Sequence, residues 1–241
     1  MSAKYTLGAS VSCFDLFNLE KQFEQIHNAP VDFLHFDVVD GSFNSCIILG
    51  LPLLTAIRPH TKLPIDVHLA VYHPERFIEQ FAEEGADIIS IHPEGTDDLL
   101  GNFERIRRLH CIPALALRSE TCADKSLLPA LEQAVFVTKL TVDPGFSGQK
   151  IQGDSFAKMK ALRKLMDENG IQTPIVADGN VNPITIPDLA ESGASILIGG
   201  TSGLFLQGKT VRENAEAMLM ALANFNVHHK KAQKANKDKN A

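Results

Sequence analysis

Along this chain a short apolar run, a polar turn and an amphipathic stretch follow one another about eight times. The runs at 5–12, 32–39, 64–71, 87–92, 113–117, 135–142, 173–178 and 195–199 read as strands, being short, rich in apolar residues and bounded by turn residues. The stretches at 16–27, 51–58, 98–109, 125–133, 153–169, 183–192 and 210–225 read as helices. Another helix opens at Pro74-Glu75, where proline suits the first helical turn. Strands alternating with helices imply parallel pairing through right-handed crossovers. Eight such units predict an α/β fold, a closed (β/α)8 TIM barrel rather than an open doubly wound sheet. Residues 1–226 are expected to form this single domain. Residues 227–241 are polar and basic with almost no apolar anchor, and are expected to be a disordered C-terminal tail in which His228 and His229 are solvated.

The polar residues at the strand ends carry the candidate chemistry, because the C-terminal ends of barrel strands face the active site. In Leu34-His35-Phe36-Asp37-Val38-Val39-Asp40-Gly41, alternation puts His35, Asp37 and Val39 on one face. An imidazole and a carboxylate two residues apart on a strand face can converge on one ion. Asp66-Val67-His68-Leu69 repeats the arrangement, and Ile175-Val176-Ala177-Asp178 ends an apolar strand in another carboxylate. Two His and two Asp make a mixed nitrogen and oxygen set suited to Zn, Mn, Fe or Co. Asp66 lies one pleat deeper than His68, where it either orients a ligand or forms a buried structural ion pair. His92, in His92-Pro93-Glu94, is expected to line the site without ligating. His73 and His110 are expected to be solvated.

A second group of residues suits an anion. Asp143-Pro144-Gly145-Phe146-Ser147-Gly148-Gln149 follows the sixth strand, Gly179-Asn180 the seventh and Gly199-Gly200-Thr201-Ser202-Gly203 the eighth. Glycines let backbone N–H groups close on a phosphate, and the loops after strands seven and eight are where barrels commonly hold one. Backbone amides and a helix N-terminus can supply the field without Lys or Arg.

Charge narrows the partners. The net charge is -6, but the segment from Val227 carries five Lys and one Asp, leaving the body at -10. An acidic body argues against nucleic acid. Neither a signal peptide nor an apolar run of transmembrane length is visible, so no membrane partner is expected. The four cysteines show no CxxC spacing and read as reduced thiols of a cytoplasmic protein.

Taken together, His35-Phe36-Asp37-Val38-Val39-Asp40-Gly41, Asp66-Val67-His68-Leu69, Thr141-Val142-Asp143-Pro144-Gly145-Phe146 and Asp178-Gly179 resemble the ribulose-phosphate 3-epimerase family, with which the D-allulose-6-phosphate 3-epimerases are closely related. The resemblance runs from Leu7 to about Phe225. It implies a TIM barrel of the ribulose-phosphate binding type and an isomerase inverting C3 of a ketose phosphate. It implies one divalent metal ion per chain on His35, Asp37, His68 and Asp178, with Asp37 and Asp178 as the catalytic acid/base pair. It implies a small sugar phosphate as ligand, contacted by Ser10 and His68 and, at the phosphate, by Gly145, Phe146, Ser147, Gly148, Gly179, Asn180, Gly200 and Thr201. A homo-oligomer is the expected assembly.

The chain departs from the family pattern at Ala9, where proline is usual, and at Val39, Ala70 and Leu140, where the family has methionines. It also has Phe43-Asn44-Ser45-Cys46 after the second strand. The smaller side chains would leave room beside the reacting carbons unless a neighbour such as Phe43 fills it. D-ribulose 5-phosphate is the expected substrate, with D-allulose 6-phosphate as the alternative. Two other readings stay open. One is a lysine-dependent aldolase or decarboxylase on the same barrel, for which Lys139 is the strand-end candidate. The other is a phosphosugar-binding barrel with reduced or lost turnover.

Overall fold

The apolar runs do become strands, and their ends pair round into a ring. A computed structural model describes residues 6–143 and 148–239, with side chains described up to residue 227. The strands are β1 (Leu7–Ser10), β2 (Phe33–Asp40), β3 (Ile47–Ile48), β4 (Ile65–Ala70), β5 (Ile88–Ile91), β6 (Ile112–Leu117), β7 (Val137–Leu140), β8 (Ile175–Asp178) and β9 (Ala194–Gly199). All but β3 are parallel, and β1 pairs with both β2 and β9, so eight strands close into a barrel. Eight helices follow them: α1 (Leu19–His27), α2 (Leu51–Ile57), α3 (Ile78–Glu83), α4 (Leu99–Arg108), α5 (Leu128–Gln133), α6 (Ser155–Glu168), α7 (Ile186–Glu191) and α8 (Val211–Lys239).

Two apolar regions hold the barrel. The larger lies between the strands and the helix ring and draws on nearly every element. The smaller fills the lower barrel with Phe33, Ile88, Ala114, Phe136, Val176, Ile196 and Ile198. Alternation ties this plug to the chemistry above it. Phe33 precedes His35 by two residues on the inward face of β2, and Val176 precedes Asp178 in the same way on β8. Both strands are therefore apolar at the lower inward position and polar toward the mouth.

Three elements differ from the sequence expectation. The first strand ends at Ser10, because the chain turns into a short 3-10 segment over Val11–Cys13; Tyr5 lies outside the described residues. A two-residue strand, β3, returns antiparallel onto the end of β2, pairing Val39 with Ile48 and Asp40 with Ile47. The last helix runs on to Lys239 where the sequence reading had an unstructured tail from residue 227. No Gly or Pro interrupts residues 226–239, and Ala, Lys and Gln are strong helix formers, so the helix has no local reason to stop. Among the described residues no helix is long and apolar enough to cross a membrane.

Phe33 is fully buried in the plug, its ring 6.0 Å from that of Phe136, at the end of β2 opposite the polar mouth. Phe33→Ala is expected to lower stability by about 3–5 kcal/mol, the usual cost of emptying a buried phenylalanine site. The geometry at the mouth should survive. Denaturant unfolding alongside ligand or metal binding by the still-folded fraction checks this, and an unchanged unfolding midpoint would contradict it.

Candidate active site

Register brings the strand-end residues together. In the β2–β4 pairing His35 lies opposite Asp66 and Asp37 opposite His68, and on the far side Ser10 lies opposite His35. Paired residues in parallel strands point to the same side, so all of these face the barrel interior. Asp178 reaches the same point from the end of β8.

His35, Asp37, His68 and Asp178 each offer one ligand atom, and all four atoms lie within 4.8 Å of one another. His35 Nε2 stands 3.1 Å from Asp37 Oδ1, 3.2 Å from His68 Nδ1 and 3.7 Å from Asp178 Oδ2, and His68 Nδ1 stands 3.4 Å from Asp37 Oδ1. Donors 2.0–2.1 Å from a common tetrahedral ion stand about 3.3 Å apart, so the side chains present fit a divalent cation. Both imidazoles are buried, while the Asp37 and Asp178 side chains are 19% and 20% exposed. The carboxylates, not the imidazoles, are what an entering molecule meets.

Three of the four groups are held from behind. Asp66, fully buried, bonds His35 Nδ1 at 2.8 Å and accepts from Ser90 Oγ at 2.7 Å, a buried pair that also fixes the His35 ring, so both sequence readings describe it. Asp37 Oδ2 accepts from Ser10 Oγ and Ser12 Oγ, both at 3.0 Å. His92 is not on the cavity wall as expected from sequence; it is buried, with Nε2 2.7 Å from His68 Nε2 and Nδ1 3.2 Å from Glu94 Oε2. Burial brings His92 down to about 4. Glu94 lies at about 2: burial works against its charge, but bonds from His92 and Thr121 hold it ionised.

The carboxylates of the site stand in unequal fields. Burial would raise Asp37, but His35 and the bonds from His35 and His68 hold it well below the usual range. Asp178 is raised, by burial first and then by the negative charge of Asp37, against which His35 and His68 act. Burial opposes a charged His35, yet Asp37 and Asp66 keep it protonated well above the ordinary range.

A cavity of about 370 Å³ opens over Asp37 and Asp178. Leu140, Val142 and Ile198 form apolar wall, and Gly148, Gly179, Asn180, Gly200 and Thr201 all line it, as does Ser10. Gly179 and Asn180 are consecutive left-handed residues (φ +110° and +48°). A Cβ on Gly179 would sit 2.6 Å from Val142 and 2.7 Å from Thr141 Oγ1, so only glycine serves there. His68 does not line the cavity. Gly145, Phe146 and Ser147 lie outside the described residues. Ser12, Cys13, Ser202 and Ile47 line the cavity and were missed from sequence. Only the alternation at Ser10 and Ser12 hinted at the first.

Lys139 is not positioned as a catalytic lysine. It is buried, and its Nζ donates to the carbonyls of Arg118, Ser119 (3.1 Å) and Thr121 (2.9 Å), pinning the loop after β6. Val39 and Ala70 do not open onto the cavity either. They pack with Phe43 in a small buried cluster, so Phe43 fills the room their short side chains leave.

Residues 6–205 match the ribulose-phosphate 3 epimerase family. A ribulose-phosphate 3-epimerase of Synechocystis sp. is 33% identical over 206 residues, covering 84% of this chain and 88% of its own. One of Bacillus subtilis is 32% identical over 207 residues, covering 86% and 94%. Among solved structures, a mutant tryptophan synthase α-subunit of Pyrococcus furiosus superposes with a TM-score of 0.62 at 10% identity, covering 92% of this chain and 98% of that one. At that identity it speaks for the barrel alone.

A cation entering the four-residue cluster must replace the proton on His35 Nε2. Binding should therefore release protons and strengthen as pH rises from 6 to 8, since below the raised pKa of His35 the proton competes for the same nitrogen. Calorimetric titration with Zn²⁺ in buffers of different ionisation enthalpy reads both effects. Tighter binding at the lower pH would contradict the assignment.

Proposed function

The chain belongs to the ribulose-phosphate 3 epimerase family, and on that footing we propose that it is an isomerase converting D-ribulose 5-phosphate to D-xylulose 5-phosphate. The observation that carries the reading is the convergence of Asp37 and Asp178, one carboxylate shifted down and the other up, on a cavity also lined by Gly-rich turns.

Inverting C3 requires removing its proton from one face and returning a proton to the other. The carbonyl at C2 acidifies that C–H bond, and the bond's electron pair passes into the C2–C3 bond as the carbonyl oxygen takes up charge. A carboxylate on one side takes the proton; a carboxylic acid on the other supplies one to the planar enediolate. Asp37, held ionised by His35, His68 and the Ser10 and Ser12 hydroxyls, suits the base. Asp178, raised by burial and by Asp37, suits the acid, and the roles exchange in the reverse direction. His35, Asp37, His68 and Asp178 would hold one divalent ion, which when bound would stabilise the developing oxyanion by several kcal/mol. The zinc, iron, manganese and cobalt ions all suit this donor set.

The phosphate is placed at Gly148, Gly179, Asn180, Gly200 and Thr201. No described Lys or Arg lines the cavity, so backbone amides would carry the charge there. The clamp then fixes which carbon stands between the two aspartates. Ser10, on the wall and bonded to Asp37, is placed to touch the sugar as well as to orient the base. A pentulose is favoured over a hexulose because the relatives that the chain matches over most of its length are ribulose-phosphate 3-epimerases.

Asp37→Asn and Asp178→Asn are each expected to lower kcat by at least roughly 10²–10⁴-fold, with loss of solvent-deuterium incorporation at C3. Near-normal exchange in either variant would remove that residue from the acid/base pair. The substrate is tested by comparing kcat/KM for D-ribulose 5-phosphate and D-allulose 6-phosphate. A preference for the hexulose beyond about tenfold, or 1.4 kcal/mol, would reverse the assignment.

A further inference from the structure

The wall of the barrel opposite Asp178 contains a buried polar chain that the reaction itself does not use. His68 turns Nδ1 toward the ligand cluster, 3.4 Å from Asp37 Oδ1, and Nε2 away from it, 2.7 Å from His92 Nε2. His92 Nδ1 stands 3.2 Å from Glu94 Oε2. The other Glu94 oxygen, Oε1, accepts from the Arg118 backbone N–H at 3.2 Å and from the Thr121 hydroxyl. His92 is fully buried and its ring lies 4.8 Å from that of Phe43, over which the Arg118 guanidinium sits at 3.8 Å. Lys139 fixes the loop that carries Arg118 and Thr121 by binding its carbonyls.

We infer that His92 and Glu94 are positioning residues that fix the tautomer of His68, so that its Nδ1 lone pair points to the ion. This rests on the reading of His68 as a ligand. The chain of donors leaves one arrangement. A ligating Nδ1 carries no proton, so neutral His68 is protonated at Nε2 and donates to His92 Nε2. His92 must then be protonated at Nδ1, and it donates to the Glu94 carboxylate, which accepts at both oxygens. A histidine bound through one ring nitrogen ordinarily has the other fixed by a carboxylate or carbonyl. For His35 that group is Asp66; for His68 a second imidazole stands between ligand and carboxylate.

The polarity of the chain can be inverted with little change of shape. In Glu94→Gln the amide oxygen is drawn to the Oε1 position, where two donors point, leaving the NH2 group facing His92 Nδ1. His92 must then accept at Nδ1 and donate at Nε2, which forces the His68 proton onto Nδ1, where it blocks the ion. His92→Gln does the opposite. Its oxygen can accept from His68 and its NH2 can donate to Glu94, so the polarity survives although the ring packed on Phe43 is lost.

The test is Zn²⁺ titration of the full-length protein after metal removal by a chelator, with imidazole nitrogen NMR of the metal-free parent to locate the His68 proton. Glu94→Gln should weaken Zn²⁺ binding by roughly 10–100-fold, and His92→Gln should weaken it less. The parent His68 should be protonated at Nε2. A role in packing alone predicts the reverse order, with His92→Gln the more damaging. That order, or parent-like Zn²⁺ affinity in Glu94→Gln, would overturn the inference while leaving the ligand reading intact. A parent that takes up no Zn²⁺ overturns both. If Glu94→Gln does not fold, the metal-free parent spectrum decides alone, and a His68 proton on Nδ1 in the metal-free protein would refute the relay.

Discussion

The site depends on the register between β2 and β4. That pairing sets His35 beside Asp66 and Asp37 beside His68, and it turns all four inward. A slip of β2 by one residue would send His35 and Asp37 to the outer face and bring Leu34, Phe36 and Val38 to the mouth. The register is held by more than backbone bonds. Phe33 belongs to the lower plug, and Leu34, Phe36 and Val38 belong to the outer core, so a slip would expose apolar surface on both sides of the sheet. The His35–Asp66 bond then closes deep in the barrel, where an unpaired charge would cost several kcal/mol.

From that constraint follows a division of labour among the carboxylates. Asp66 is sealed from solvent and spends its oxygens on His35 and Ser90, leaving it no reach into the cavity. Asp37 divides its oxygens. Oδ1 faces the two imidazoles, and Oδ2 takes the hydroxyls of Ser10, at the end of β1, and Ser12, in the turn after it. Asp178 is raised by the same burial, with the negative charge of Asp37 added to it. Two aspartates that a sequence shows as equivalent are thereby shifted in opposite directions, Asp37 down and Asp178 up.

The side of the barrel around β5 and β6 shows how far the support extends. Lys139 is an unusual residue to find fully buried. Its ammonium is satisfied by three carbonyls of one loop, so it acts as a fastener rather than a reactive amine. That loop in turn supplies two donors to Glu94, and the Arg118 it carries covers Phe43. Phe43 closes the space beside Val39 and Ala70 and packs on His92. Packing, hydrogen bonding and cavity shape are thus carried by the same few residues.

Alternation and turn chemistry are local properties, which is why the eight strand–helix units, the inward faces and the placement of His35, Asp37, His68 and Asp178 at strand ends could be read from the amino-acid order. The Gly-rich turns at Gly179 and Gly200 were legible for the same reason, and at Gly179 the left-handed backbone is written in the residue type. The boundary of α8 was not, because low apolar content was given more weight than an unbroken run of helix formers. What lay beyond local pattern was every contact between side chains far apart in the chain. The pairing of Asp66 with His35, the place of His92 behind His68, the role of Lys139 and the packing of Phe43 on Val39 and Ala70 each join residues from different parts of the chain. Those partners are fixed only when strand registers and barrel closure bring them within hydrogen-bond distance.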